Sequence, residues 1–106
     1  MVGSNYERRL KKELEKDNWL VLRSAGSHGI DLLALKPTKH ILIEVKSTSK
    51  NRLKTNINQK SKEQFDMLNK LAQKGFTVFY YVWFKGTRTG WHKYQLPIEA
   101  YPTFEV

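Results

Sequence analysis

Ile30-Asp31-Leu32-Leu33-Ala34-Leu35, then Lys36-Pro37-Thr38-Lys39, then His40-Ile41-Leu42-Ile43-Glu44-Val45-Lys46: the fold turns on this stretch. Two short apolar runs flank four residues of turn chemistry. Pro37 fixes its own φ and lacks an N–H, so the first run should end there. The expectation is an antiparallel β-hairpin. Residues two apart on a strand share a face, so Glu44 and Lys46 point the same way. With the turn at residues 37–39, Asp31 falls opposite segment 44–46. Two carboxylates and one ammonium then converge on one end of a sheet.

Outward from the hairpin, Ser4 and Asn5 suit a helix cap, and Glu7 follows Ser4 by three residues as in a capping box. Tyr6, Leu10 and Leu14 repeat at a spacing of four, one stripe of an amphipathic helix that should end near Asp17 and Asn18. Trp19-Leu20-Val21-Leu22 predicts a short strand. Residues 23–29 break it, and their small side chains and two glycines suit a tight turn close to another group. Residues 47–60 are polar and basic without periodicity and read as a mobile loop. Ser61, with Gln64 three residues on, is expected to cap a second helix with Phe65, Leu68 and Ala72 buried and Gly75 as its stop. Residues 76–84 predict an aromatic-rich strand, 85–90 a basic turn and 91–96 a last strand. The tail from Pro97 should dock on the sheet edge. The order α, β, β, β, α, β, β predicts an α/β (α+β) fold with a mixed central sheet, since the helix before the fourth strand permits a parallel crossover.

A chain of 106 residues suffices for one domain, 1–106, with one modest core. Nineteen Lys and Arg against ten Asp and Glu give a net charge of +9. So strong a bias in so small a chain points to a polyanionic partner, nucleic acid above all. A membrane surface fits less well, because no helix pairs the basic residues with a Trp/Leu-rich face. The absence of cysteine excludes a disulfide scaffold and thiolate zinc sites and fits a reducing compartment. The polar start is unlike a signal peptide, and no apolar run approaches the roughly 18 residues of a membrane span. A soluble cytoplasmic protein is expected, in the host cytoplasm if the source is viral.

Each of Asp31, Glu44 and Lys46 alone reads as a solvated charge at a strand end. Together they pose an electrostatic problem. Two carboxylates one strand apart repel, and a cation must relieve them. Lys46 does so in part, and Mg²⁺ does it better and matches hard oxygen ligands. Such an ion positions water, lowers its pKa and stabilises charge on a phosphate, while a neighbouring lysine helps the nucleophile or the transition state. With the basic charge, a nucleic-acid phosphodiester is the substrate that follows.

Asp31 followed by Glu44-Val45-Lys46 resembles the PD-(D/E)-x-K nuclease superfamily, with Gly29-Ile30-Asp31 standing where the nominal Pro-Asp would be. Four blocks in order resemble the archaeal-type Holliday junction resolvases: Tyr6-Glu7-Arg8, Val21-Leu22-Arg23-Ser24-Ala25-Gly26-Ser27, Leu42-Ile43-Glu44-Val45-Lys46 and Glu63-Gln64. The likeness runs from Tyr6 to the strand around residues 78–84. It implies a restriction-endonuclease-like mixed sheet flanked by helices and assembled as a homodimer. It also implies metal-dependent, paired symmetric nicking of four-way DNA junctions, with Mg²⁺ as cofactor and Mn²⁺ as a substitute. By the same likeness, Glu7, Asp31, Glu44 and Val45 hold the metal, Lys46 is the catalytic lysine and Ser27 lies near the scissile phosphate. Arg8 and Arg23 would contact DNA. The loop after Lys46 departs from the pattern, and Trp83 stands where many relatives place a lysine, for which Lys85 and Arg88 of the basic turn are candidates to substitute.

Each of these residues has a plainer reading. Glu7 also suits the first turn of a helix as a favourable carboxylate, and Ser27 suits a turn. Lys50, Arg52, Lys54 and Lys60 read as a solvated face or, beside a phosphodiester site, as a phosphate clamp. Gln64 reads as a cap or a cleft residue. Arg8 and Arg9 are adjacent, so one should face DNA and the other solvent. His28 and His40 read as surface groups, and the aromatics of 76–84 as core, in part a dimer face, or less readily a stacking surface. The functional alternatives are another nuclease of the superfamily, of the repair or restriction-like kind, and a non-catalytic DNA-binding protein. Substrate preference separates the first, and salt-dependent binding without cleavage the second.

Overall fold

The computed structural model describes residues 2–24, 29–87 and 90–106, and the side chains of all of these but 2–4. Helix α1 (Val2–Lys16) buries Leu10 and Leu14, the stripe set by their spacing. It begins at Val2, so Ser4 lies within the helix and not at its cap. It closes at Asn18, whose φ of 67° an asparagine tolerates and whose N–H bonds the Glu15 carbonyl at 3.1 Å.

Strands β1 (Leu20–Arg23), β2 (Leu32–Lys36) and β3 (Lys39–Thr48) follow as an antiparallel meander. The hairpin turns between Lys36 and Lys39, as the Pro37 chemistry requires. A short β4 (Arg52–Lys54) precedes helix α2 (Gln59–Gln73), and β5 (Val78–Phe84) returns parallel to β3. Strand β6 (Trp91–Leu96) pairs antiparallel with β5, which completes a mixed sheet in the order β1-β2-β3-β5-β6. A last strand, β7 (Thr103–Glu105), pairs with β4 in a separate ribbon.

Strand alternation divides the core into two layers. Leu42, Val78, Tyr80, Val82 and Phe84 pack with Phe65, Leu68 and Ala72 of α2. Val21, Leu32, Ala34, Ile43, Val45 and Tyr81 pack with Leu10 and Leu14 of α1. Each fully buried aliphatic or aromatic side chain contributes roughly 1.5–3 kcal/mol of transfer free energy. The alternation also fixes the site. Leu42 faces α2, so Glu44 and Lys46 face α2 as well.

The segment 47–60 departs from the expected mobile loop. Strand β3 runs on to Thr48 because β5 offers parallel partners, Ser47↔Trp83 and Thr48↔Phe84. Residues 52–54 find theirs in the tail, Arg52↔Glu105 and Lys54↔Thr103. Helix α2 starts two residues before Ser61. Asn58 is its N-cap, accepting from the Ser61 N–H at 2.8 Å, while the Ser61 hydroxyl accepts from the Asn58 N–H at 2.9 Å. Ser61 is thus the third residue of a reciprocal capping box. At the other end Gly75, with φ of 108°, stops α2 as its sequence position suggests. The tail docks at the edge strand β6 but on its α2 face, without extending the main sheet: Phe104 stacks on Tyr94 at 4.1 Å between centroids and lies 5.3 Å from Tyr80.

Candidate active site

The ladder between β2 and β3 changes character at one end. Leu32 pairs with Ile43, and the Asp31 N–H still reaches the Ile43 carbonyl at 2.9 Å. Two residues on, the Val45 N–H bonds a side chain, the Asp31 carboxylate, at 2.8 Å. A charge-assisted bond of this kind fixes the carboxylate where the two strands part. Glu44 lies between these positions and turns toward α2, where it is 2% exposed. Its Oε2 lies 3.2 Å from Lys46 Nζ, and its buried Oε1 has no hydrogen-bond partner among the described residues. The convergence expected of Asp31, Glu44 and Lys46 is therefore real.

Burial is the main force on Glu44 and pushes its carboxyl up to about 9. Lys46 opposes that shift and the adjacent Asp31 carboxylate adds to it. Glu7, on α1, is raised as well, first by burial and then by Asp31, against the pull of Arg23. Its Oε1 lies 3.5 Å from Arg23 Nη2. Beside Glu44 on β5, its register partner Tyr80 is pushed up by burial, with Glu44 and Asp31 adding.

These side chains open into one cleft of about 390 Å³. Glu7 comes to it from α1, Asp31, Glu44, Val45 and Lys46 from the splayed hairpin, and Lys60 and Gln64 from the first turns of α2. Gln64 also reaches the Gly29 carbonyl at 3.5 Å. Ile57, Asn58 and Ser61 complete the wall. Tyr80 had no signal in the sequence, since its place beside Glu44 comes from pairing between distant strands. Asn58 had a local one, an asparagine three residues before Ser61, which the reading of Ser61 as the cap passed over.

The other candidates spread outward. Lys50, Arg52 and Lys54 line a neighbouring depression of about 730 Å³ that shares Ile57 with the cleft. Arg8 is exposed on α1, and Lys85 is exposed just past β5. Ser27, His28 and Arg88 lie outside the described residues. His40 is exposed but engaged, its Nε2 accepting from the Thr77 N–H at 3.4 Å.

The donor set suits a hard divalent cation. Asp31 and Glu44 offer carboxylate oxygens, and the unpartnered Glu44 Oε1 is a buried acceptor that a cation would satisfy. Among the described residues no third His, Cys, Asp or Glu closes a ligand cluster with them. Glu7 faces the same cleft but is turned to Arg23. Two carboxylates with open positions filled by water and substrate phosphate is a common arrangement for Mg²⁺. No helix among the described residues is long and apolar enough to cross a membrane.

Comparison with known proteins bears on this geometry. A family described as "Archaeal holliday junction resolvase (hjc)" matches residues 1–92. The chain is 44% identical over 54 residues to a protein of Methanocaldococcus jannaschii named crossover junction endodeoxyribonuclease Hjc. That alignment covers 51% of this chain and 41% of the relative. The fold is similar to the solved structure of Archaeoglobus fulgidus Hjc, described as a Holliday junction resolvase from an archaeal hyperthermophile. The TM-score is 0.77 at 21% identity, over 99% of this chain and 84% of that one.

Proposed function

The chain belongs to the archaeal Holliday junction resolvase family, and from that premise we propose that it is a single-domain DNA endonuclease that resolves four-way junctions by paired symmetric nicks. The family implies a divalent metal; we take Mg²⁺ as the ion, with Mn²⁺ able to replace it. The observation that carries the reading is Glu44: a buried carboxylate with one oxygen unpartnered, beside Asp31 and 3.2 Å from Lys46, at the floor of a basic-rimmed cleft.

In this reading Asp31, Glu44 and the Val45 carbonyl would hold the ion, with Glu7 lining the same cleft. The chemistry such an ion would supply, when bound, is an activated water and neutralisation of charge on the scissile phosphate. The protein's own groups do the rest. The Val45 N–H keeps Asp31 aimed into the cleft. The Lys46 ammonium, held by Glu44, is placed to meet negative charge building on the phosphate. Arg23 restrains Glu7 and, with Arg8, meets the DNA backbone. Ser27, shortly before Asp31 in the chain, would touch the scissile phosphate. Lys50, Arg52, Lys54, Lys60, Gln64, Lys85 and Arg88 extend the contact along the DNA arms.

Paired nicks require two such clefts, so we propose a homodimer. The apolar surface available to it includes Leu20 and Leu22 on the edge strand β1, 60% and 50% exposed, and Met67 of α2, 38% exposed. The absence of cysteine suits action in the cytoplasm. The test is cleavage of an end-labelled four-way junction and a matched linear duplex, with Mg²⁺, Mn²⁺ or EDTA. Symmetric nicks on the junction alone, abolished by EDTA, support the reading. Equal cutting of both substrates would replace it with a general nuclease, and binding without cutting with a DNA-binding protein.

A further inference from the structure

The cleft opens on the α2 face of the sheet. The opposite face, at the same end, carries a different group of side chains. Trp83 pairs with Ser47 in the sheet, one step beyond the pairing of Lys46 with Val82. It therefore marks the same end as Lys46 and, by strand alternation, points to the α1 side. There Tyr6 lies 6.1 Å from Trp83 and 6.3 Å from Trp91, and the two indoles are 5.2 Å apart. Glu13 accepts the Trp91 indole N–H and so fixes that ring. Tyr6 directly precedes Glu7, so one turn of α1 contributes to both faces.

Two cations rest on this aromatic surface. The Arg9 guanidinium lies 4.8 Å from the Trp83 ring centre and 5.6 Å from that of Tyr6. The Lys85 ammonium lies 5.7 Å from the Tyr6 ring. Both residues are exposed. Neither head forms an ion pair among the described residues. A guanidinium lying over a ring is held in place while its in-plane N–H donors stay free. These are cations held over rings, without an ion pair among the described residues, and the Trp83 ring under Arg9 sits one strand step past Lys46. That is what a phosphate-binding site needs and what a solubilising surface does not.

We propose that Arg9 and Lys85, seated on Tyr6 and Trp83, form a second DNA-backbone site on the α1 face of the sheet. The site takes phosphates of the junction arm beyond the cut, so that DNA is held on both sides of the sheet end. This rests on the nuclease reading above. It also separates the adjacent arginines: Arg9 is the one held for DNA on this face, and Trp83 is a positioning residue for it.

The test is equilibrium binding of the full chain to a labelled four-way junction in EDTA across a range of salt, with thermal melting to check folding. Arg9→Ala/Lys85→Ala should bind at least tenfold more weakly. Loss of two phosphate contacts should reduce the slope of log affinity against log salt by about 1.8. Trp83→Leu leaves both cations in the chain but removes the ring under Arg9. It should weaken binding by severalfold, and that loss should vanish when Arg9 is already alanine, which a general packing defect would not reproduce. Folded variants with wild-type affinity and salt slope would overturn the second site alone. A wild-type chain that binds no junction would overturn the nuclease reading and this site with it.

Discussion

The two faces of the sheet handle charge in opposite ways at the same end. On the α2 side Glu44 is sunk to 2% exposure with one oxygen unpartnered. On the α1 side Arg9 and Lys85 stay exposed and lie on aromatic rings. The first arrangement opposes folding, since a buried carboxylate loses hydration that a single lysine contact does not restore. The second supports folding slightly, at about 0.5–1 kcal/mol for an exposed cation–π contact. A residue that costs stability where it sits is held there by what it does, and the buried face is therefore where chemistry should be sought.

The largest expected effect tests that contrast directly. Asp31→Asn or Glu44→Gln should lower junction cleavage by roughly 100–1,000-fold or more, the scale on which losing one transition-state electrostatic group acts. Both should keep the wild-type circular dichroism spectrum. Lys11→Ala, on the outer side of α1 where the ammonium pairs with Glu15, should stay within about twofold. A Glu44→Gln protein that still cuts at near the wild-type rate would end the comparison.

The next effect is on stability. A ligand present at about 100 times its dissociation constant adds about 2.7 kcal/mol. Saturating Mg²⁺ should raise the melting temperature of the wild type, and Glu44→Gln should lose most of that rise. In EDTA the same residue sets a pH dependence. Its carboxyl titrates at about 9 in the folded chain against an ordinary 4.5. Between those values the folded state keeps a proton that the unfolded state has released, so stability is greatest at low pH and falls as pH rises. One proton corresponds to a slope of at most about 1.4 kcal/mol per pH unit. Urea unfolding at pH 5–8 in EDTA should show the decline in the wild type and a flatter line in Glu44→Gln. Equal slopes would mean that Glu44 is already ionised when no metal is bound.

The hairpin and its three charged residues were legible because everything needed was local. A proline turn set the register and strand alternation set the face. Glu44 and Lys46 pair as that spacing requires. The bounds of β6, Trp91–Leu96, follow in the same way from the basic turn before it and the proline after it. What stayed hidden depends on distant partners. Residues 52–54 look like a loop until 103–105 arrive beside them. The burial of Glu44 depends on β5 arriving beside it and α2 across the cleft, and no spacing within 40–46 reveals that. The seating of Arg9 and not Arg8 on Trp83 needs the rotation of α1 against the sheet, which a stripe of three apolar residues does not settle. Glu7 shows the same limit. Its spacing from Ser4 suggests a first-turn carboxylate, but α1 begins at Val2, so Glu7 lies beyond the first turn, where it lines the cleft and meets Arg23.

The smallest effect concerns the start of α2, the wall of the cleft on the buried-charge face. Asn58 accepts the Ser61 N–H at 2.8 Å, and the Ser61 hydroxyl accepts the Asn58 N–H at 2.9 Å. The two halves of this box are unequal. Asn58 satisfies an amide that the helix itself leaves without a partner, whereas the Asn58 N–H precedes the helix and can turn to water. Asn58→Ala should therefore cost about 1 kcal/mol, and Ser61→Ala clearly less, as read by urea unfolding. Fraying of this turn would also loosen Lys60 and Gln64, which line the cleft from it. Junction affinity should then fall with Asn58→Ala more than with Ser61→Ala, while contacts on the α1 face keep their share. An equal loss from the two variants would mean that the wall is held by the packing of Phe65 and Leu68 and not by its cap.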